Sequence, residues 1–317
     1  MKLDLSKKII NFLSQHQGQK FTARELAEWI LRAFPDECEA KRIRSRATIT
    51  TLDDDNALLQ QIVAEIGSQR QRLQSRSPHL KTTEERPRKY YYTTQTDQAE
   101  IEEAESDRPI TASDEHAIVR HSEHDLYSML SAFLWAEYGI YSKRIDEKRS
   151  SNNRGTNGNK WLYPDVVAME DLTTDWDPKI KACVQQHADR KTRLWSFEAK
   201  LLINRSNVRQ TFFQAVSNSS WANFGYLVAA ELEGSDTKRE LQILSALHGI
   251  GFILLDPKTP VESQVLIPAK ERTEIDWDTA NRLVEENRDF RDFIEEITCF
   301  YQTGRTKPSD WGIIIED

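Results

Sequence analysis

An acidic, polar stretch at residues 96–120 does most to limit how this chain of 317 residues can fold. The stretch carries two basic and eight acidic residues and few apolar ones, so it has too little apolar surface to build a core. The residues before it carry 17 basic and 12 acidic side chains, and those after it carry 24 and 31. The sequence therefore predicts two domains, residues 1–95 and 121–317, joined by an acidic linker.

Composition indicates a globular protein that is not bound to a membrane. Hydrophobic residues make up 38% of the chain and include 8 Trp, 9 Tyr and 12 Phe, which is enough for packed cores. No apolar run approaches the roughly 20 residues that a membrane-spanning helix requires. The three cysteines, Cys38, Cys183 and Cys299, match neither a disulfide framework nor zinc-ligand spacing. We therefore expect a cytoplasmic protein.

Apolar residues at helical spacing predict three helices in residues 1–95, followed by a hairpin of two short strands. The expected segments are Leu5–Gln15, a helix from the capping box of Thr22 and Glu25 to just before Pro35, Asn56–Gly67, and strands within Leu80–Thr94. This order resembles the winged helix-turn-helix domains that precede nuclease domains in restriction-associated proteins. A small helical packing module with a solvated charged face is the alternative interpretation.

The winged-helix resemblance implies binding to duplex DNA, in which contacts to phosphates supply much of the affinity. Basic side chains are concentrated in residues 68–77, after the third predicted helix, and in the hairpin, and a second basic hairpin lies in residues 121–317. The residues that we expect to contact DNA are Arg70, Arg72, Arg76, Lys81, Arg86, Arg88, Lys89, Arg149 and Arg154.

Residues 121–317 alternate between predicted helices and strands, which indicates an α/β domain, so the chain as a whole is α+β. Ser122 is expected to cap a helix, and a long closing helix is expected to run unbroken from Thr279 to about Tyr301.

Three acids and one lysine of this domain stand in apolar surroundings. We expect Asp165 to lie within an apolar strand that begins at Trp161, where a charge costs free energy unless a cation or hydrogen bonds neutralise it. Glu198 and Lys200 are two residues apart on a predicted strand, so they project from the same face. Glu123 falls on the inward face of the helix after Ser122. A capped turn at Asp165, a strand salt bridge between Glu198 and Lys200, and a helix-terminus role for Glu123 are the structural alternatives.

The dipeptide Pro164-Asp165, followed by Glu198-Ala199-Lys200, resembles the PD-(D/E)XK nucleases over roughly residues 121–255. The resemblance implies a central mixed sheet flanked by helices and a bound Mg²⁺, with Mn²⁺ as a second option. The implied metal ligands are Asp165, Glu198, the carbonyl of Ala199 and Glu123, which offer the hard oxygen atoms that Mg²⁺ prefers.

The same resemblance implies roles for an ammonium group and an amide. Lys200 would orient or help deprotonate the attacking water and stabilise developing charge, and Gln214 would position water or a phosphate oxygen. Gln210, one helical turn earlier, is the competing amide.

The activity implied is a Mg²⁺-dependent DNA endonuclease of restriction or phage defence, with selection of modified DNA as one option. Because cutting both strands requires two active sites, we expect a homodimer on double-stranded DNA, and the resemblance also implies a functional link to a DNA methyltransferase. A DNA-binding regulator with an inactive nuclease fold and a protein-interaction module are the alternatives.

Overall fold

A computed structural model describes residues 3–44, 54–85, 87–105, 121–151, 159, 161–186, 191–307 and 310–311. The chain divides into two compact units. The first comprises Met1–Asp97 with Glu233–Ser235, and the second comprises Gln98–Leu232 with Asp236–Asp317. None of the helices in the described residues is long and apolar enough to cross a membrane.

The first unit packs helices against a small antiparallel sheet. Its helices are α1 (Leu5–Gln15), α2 (Ala23–Ala33), α3 (Pro35–Arg44), α4 (Asp55–Ser68) and α5 (Arg70–Arg76), and its strands are β1 (Phe21–Thr22), β2 (Leu80–Thr82) and β3 (Lys89–Tyr92). The strand order is β1-β3-β2. Leu13, Leu26, Ile30 and Ile62 are fully buried and join the helices into one core.

The predicted helix α1 and the capping box of Thr22 and Glu25 are confirmed, as is the hairpin of β2 and β3. The expectation of three helices is wrong, because α3 and α5 also form. Proline is well tolerated in the first turn of a helix, so Pro35 ends α2 and also begins α3. Part of the predicted linker is the helix α6 (Asp97–Glu105), in which Ile101 is buried.

The second unit is built on a six-stranded mixed sheet in the order β4-β5-β6-β7-β8-β9. The strands are β4 (Tyr141–Arg144), β5 (Val166–Asp171), β6 (Thr192–Ile203), β7 (Phe224–Leu232), β8 (Gly251–Leu254) and β9 (Gln264–Ile267). The helices after α6 are α7 (Glu123–Tyr138), α8 (Pro178–Gln186), α9 (Val208–Asn218), α10 (Ser235–His248), α11 (Trp277–Glu286) and α12 (Arg288–Thr303). Two short 3-10 helices are Glu147–Arg149 and Pro260–Glu262. The expected mixed α/β class with a helix-flanked sheet is confirmed.

Alternation along the strands separates the two faces of this sheet. Val166, Phe197 and Val228 pack with α7 on one face, whereas Val167 and Leu227 lie on the other face, in the clusters that contain residues of α9 to α12. Strands β6 and β7 are parallel, and β5 is antiparallel to β6. The capping box of Ser122 and Asp125 begins α7, as the prediction of a cap at Ser122 requires.

Two expectations about element boundaries are wrong. Asp165 does not lie within a strand, because β5 begins one residue later and the preceding chain turns at Trp161, whose φ is 59°. The closing helix is broken at Asn287, whose backbone is extended and whose side chain accepts a hydrogen bond from the N–H of Phe290. An asparagine that caps the following helix ends the preceding one.

Candidate active site

The candidate site lies on the part of β6 that extends beyond the first residue of its antiparallel neighbour, β5. The last pair between these strands joins Val166 to Phe197, so Glu198, Ala199 and Lys200 have no strand β5 partner. On the other side of β6 these residues pair with β7, which keeps the strand inside the sheet. The sheet therefore has an open edge at Glu198–Lys200, and the residue that precedes β5 turns towards it.

Asp165 fills part of this opening with its carboxylate. One oxygen, Oδ2, accepts a hydrogen bond of 2.7 Å from the backbone N–H of Ala199, and the other, Oδ1, accepts one of 3.1 Å from the hydroxyl of Tyr127 on α7. Because the N–H and C=O of a strand residue point to the same side, the carbonyl of Ala199 also faces the open edge. The carboxylate of Asp165 thus accepts an N–H that a longer β5 would have bound, and its two hydrogen bonds hold it in one orientation.

Glu198 is fully buried on the face of the sheet opposite Phe197. Its Oε2 accepts a hydrogen bond of 2.6 Å from the side-chain amide of Asn218, at the end of α9. Its Oε1 lies 2.9 Å from the ammonium nitrogen of Lys200, with which it forms an ion pair. Among the described residues Lys200 is the partner of this buried oxygen, so one oxygen of Glu198 faces the open edge beside a single ammonium group.

Lys200 joins the carboxylates of two elements. Its Nζ lies 3.3 Å from Oε1 of Glu123 on α7 and 2.9 Å from Oε1 of Glu198, and 14% of its side chain is exposed. Glu123 belongs to the helix on the other face of the sheet, and the absence of β5 beside Lys200 leaves the route between them open. The structure thus brings together four of the predicted residues, Asp165, Glu198, Lys200 and Glu123.

Burial and charge together shift the pKa values of these groups. Burial raises the pKa of Glu198 to about 8, and the negative charge of Asp165 adds to the effect. Burial also raises the pKa values of Asp165 and Glu123, although Lys200 opposes the shift in both. Burial alone would lower the pKa of Lys200, but the carboxylates of Glu198, Asp165 and Glu123 outweigh it and raise that pKa. The lysine is therefore a stable cation, whereas the raised pKa values of the carboxyl groups mean that one ammonium group does not offset the burial of all three.

This donor set fits a divalent cation of the Mg²⁺ class. The carboxyl groups of Glu198 and Glu123 share one ammonium group, and Oε1 of Glu198 is a hard oxygen atom in a buried position. The carbonyl of Ala199 adds a neutral oxygen at the same edge. Asp165, Glu198 and Ala199 are the residues that would hold the ion. Glu123 lies 3.3 Å from Lys200, but within the described residues its carboxylate does not join those of Asp165 and Glu198 in one group of ligand atoms within 4.8 Å of one another.

The amide beside Glu198 is Asn218, which the sequence did not single out. Gln214 lies one turn earlier on α9 and is partly exposed, and its side chain makes no hydrogen bond with any residue that the structure describes. The role of Gln214 in positioning water therefore stays a prediction, and the competing Gln210 is exposed. Tyr127 was also missed, since a tyrosine on an amphipathic helix gives no signal of its contact 38 residues away.

Most of the basic residues expected to contact DNA in the first unit are paired with acids of the same unit. Arg70 and Arg88 bind the buried Glu84 at 3.2 and 3.0 Å, and Lys89 lies 2.6 Å from Glu85. Lys81 lies 2.6 Å from Asp97 and 3.4 Å from Glu233. These four side chains stabilise the hairpin, which reduces their availability to phosphates.

The other predicted contacts differ in their environments. Arg72 and Arg76 on α5 are exposed and form no ion pair within the described ranges. Arg149 pairs with Asp289, and 43% of its side chain is exposed. Arg86 and Arg154 lie outside the residues that the structure describes.

Comparison with protein-family models, with curated protein sequences and with solved structures gives no match to this chain.

Proposed function

We propose that this protein is a Mg²⁺-dependent nuclease that hydrolyses phosphodiester bonds in DNA. The observation that carries the proposal is the convergence of Asp165, Glu198 and Lys200 at the open edge of β6. The buried carboxylate of Glu198, the half-buried carboxylate of Asp165 and a stable ammonium group at one edge suit an anionic phosphodiester, provided that a metal offsets the repulsion between carboxylate and phosphate. When bound, Mg²⁺ would neutralise charge and make a coordinated water more acidic.

The chain's own residues have separate tasks in this proposal. Asp165, fixed by Tyr127 and Ala199, and Glu198, fixed by Asn218, offer oxygens to the metal. Lys200 is held by Glu123 and Glu198, so its ammonium group is positioned to orient the attacking water and to stabilise charge on the phosphate oxygens.

The wider biological proposal is a modular DNA endonuclease. The first unit acts as a winged-helix domain that binds duplex DNA, with Arg72 and Arg76 as its exposed cations, and the second unit has the PD-(D/E)XK fold. We propose further that the enzyme is cytoplasmic, acts as a homodimer in restriction or phage defence, and works beside a DNA methyltransferase.

The test is cleavage of labelled duplex DNA, modified and unmodified, by the full chain in Mg²⁺ or in EDTA. We expect cleavage in Mg²⁺ alone, loss of it in Lys200→Ala and Glu198→Gln, and duplex affinity within a few fold of wild type for Lys200→Ala. Asp165→Asn should also lose Mg²⁺ binding in calorimetry.

Two substitutions on the neighbouring strands serve as matched controls. Arg193→Ala removes a basic residue that pairs with Glu170 and Glu271, near the start of β6, and Glu170→Gln repeats the glutamate change on β5. Both should cleave like wild type. Equal cleavage by Lys200→Ala and wild type, or no cleavage of any DNA by a folded wild-type protein, would overturn the proposal.

A further inference from the structure

Arg144 stands beside the candidate metal site at the end of β4. It is paired across the sheet with Val166, and the next residue, Ile145, donates its N–H to the carbonyl of Asp165 at 2.9 Å. Strand β4 therefore ends where β5 begins, and Arg144 lies at the same end of the sheet as Glu198 and Lys200.

Two side chains of α7 hold the guanidinium group of Arg144. It lies 5.2 Å from the ring centroid of Tyr127, the residue whose hydroxyl bonds to Asp165, and its Nη2 is 2.8 Å from Nε2 of His124. Because arginine can only donate, Nε2 of His124 accepts, and this contact uses one of the five N–H donors of the guanidinium. The cation is thus fixed beside the site, and among the described residues most of its donors make no hydrogen bond.

Arg144 differs in its ion pairing from most of the other lysine and arginine residues on the strands and in the candidate site. In the part of the chain that the structure describes it forms no ion pair with a carboxylate, and the residue is exposed. Lys200 and Arg193, by contrast, each contact two acids. An exposed guanidinium that is oriented by an aromatic ring and an imidazole presents the N–H donors along its edge to an anion from solution.

We infer that Arg144, held by Tyr127 and His124, is a phosphate-binding residue that contacts the nucleic-acid backbone next to the candidate metal site. The inference rests on the proposed function for the identity of the substrate. Arg144 binds a phosphate oxygen pair through its free N–H groups, and it places the backbone against Asp165 and Lys200. Its contribution is to substrate binding and not to the hydrolytic step.

The experiment measures binding and cleavage separately in the full chain. A fluorescent, mixed-sequence DNA duplex is titrated by anisotropy at several salt concentrations, with Ca²⁺ in place of Mg²⁺ so that binding is followed without turnover. Arg144→Gln should weaken binding about tenfold and lower the slope of log K against log salt by about one contact. Arg144→Lys, which keeps the charge, should keep the slope.

Arg193→Gln is the control for loss of one positive charge, because Arg193 lies five residues before Glu198, about 17 Å along β6. It should keep both the affinity and the slope. In cleavage assays Arg144→Gln should raise KM and leave kcat within about twofold.

The outcomes separate this inference from the proposed function. Weaker binding with a lower salt slope in Arg144→Gln supports the inference even if the wild-type protein cleaves no DNA, a result that would overturn only the nuclease. Unchanged affinity and slope would overturn the inference even if Mg²⁺-dependent cleavage is found. A loss of Mg²⁺ affinity in calorimetry without a change in DNA binding would also overturn it, because Arg144 would then act only on Asp165.

Discussion

Replacement of Glu198 by glutamine should change how the stability of the metal-free protein depends on pH. The folded state raises the pKa of this carboxyl from its ordinary 4.5 to about 8, because the group is buried beside Asp165. Between these values the folded protein holds a proton that the unfolded chain has released. The free energy of unfolding therefore falls as pH rises through this window.

The magnitude follows from the size of the shift. One proton contributes about 1.4 kcal/mol per pH unit, so Glu198 alone lowers the free energy of unfolding by about 3 kcal/mol between pH 5 and pH 7. Glu198→Gln cannot ionise and removes this part of the slope.

Urea denaturation in EDTA at several pH values measures both slopes. Of the eight tryptophans, only Trp29 lies in the first unit, so fluorescence reports chiefly on the second unit. Glu170→Gln, the same chemical change at a residue bonded to Arg193 and Trp195, should keep the wild-type slope. If Glu198→Gln retains the full wild-type dependence, Glu198 is not the buried proton acceptor that its surroundings require.

Two further substitutions test how the site and its frame are held. Tyr127→Phe removes the hydroxyl that orients Asp165, so it should lower Mg²⁺ affinity about tenfold in calorimetry. The control Tyr138→Phe changes an exposed tyrosine and should keep the wild-type affinity. Equal affinities of the two variants would show that the contact of Tyr127 with Asp165 is dispensable. Asn287→Ala removes the cap of α12 and two hydrogen bonds to Asp146 and Ser150, so it should lower the free energy of unfolding by about 2 to 4 kcal/mol in urea titrations. The control Asn281→Ala, at an exposed position, should lower it by about 0.5 kcal/mol or less. Similar losses in the two variants would contradict the role of Asn287.

Much of the fold could be predicted from local patterns, because those patterns act over a few residues. Helix α1, the capping boxes at Thr22 and Ser122, and the alternation that buries Phe197 opposite Glu198 all depend on spacings of two to four positions. Errors arose where one residue serves two elements. Pro35 ends α2 and begins α3, and Asn287 both ends α11 and caps α12.

The candidate site was only partly visible in the sequence. The types of residue at Asp165, Glu198 and Lys200 suggested a common task, but the sequence offered no sign of Asn218 and Tyr127 as their partners. It also favoured Gln214, whose side chain has no contact with Glu198 among the described hydrogen bonds. Proximity along α9 does not decide which amide reaches the carboxylate, since that depends on the position of the helix above the sheet.

The sequence by itself determined several of the helices, including α1, α2 and α7, which face of β6 is buried, and that acids occupy apolar surroundings. Only the tertiary structure decided that the pairing of β5 with β6 extends no further than Phe197 and that the carboxylate of Asp165 accepts the hydrogen bond of the next open N–H, at Ala199. It also decided that Glu123 contacts Lys200, which lies 77 residues later in the chain. The physical reason is range. Periodicity and capping are satisfied within one or two turns of chain, whereas a buried charge is stabilised by whichever groups the packing of distant elements brings within a few ångströms.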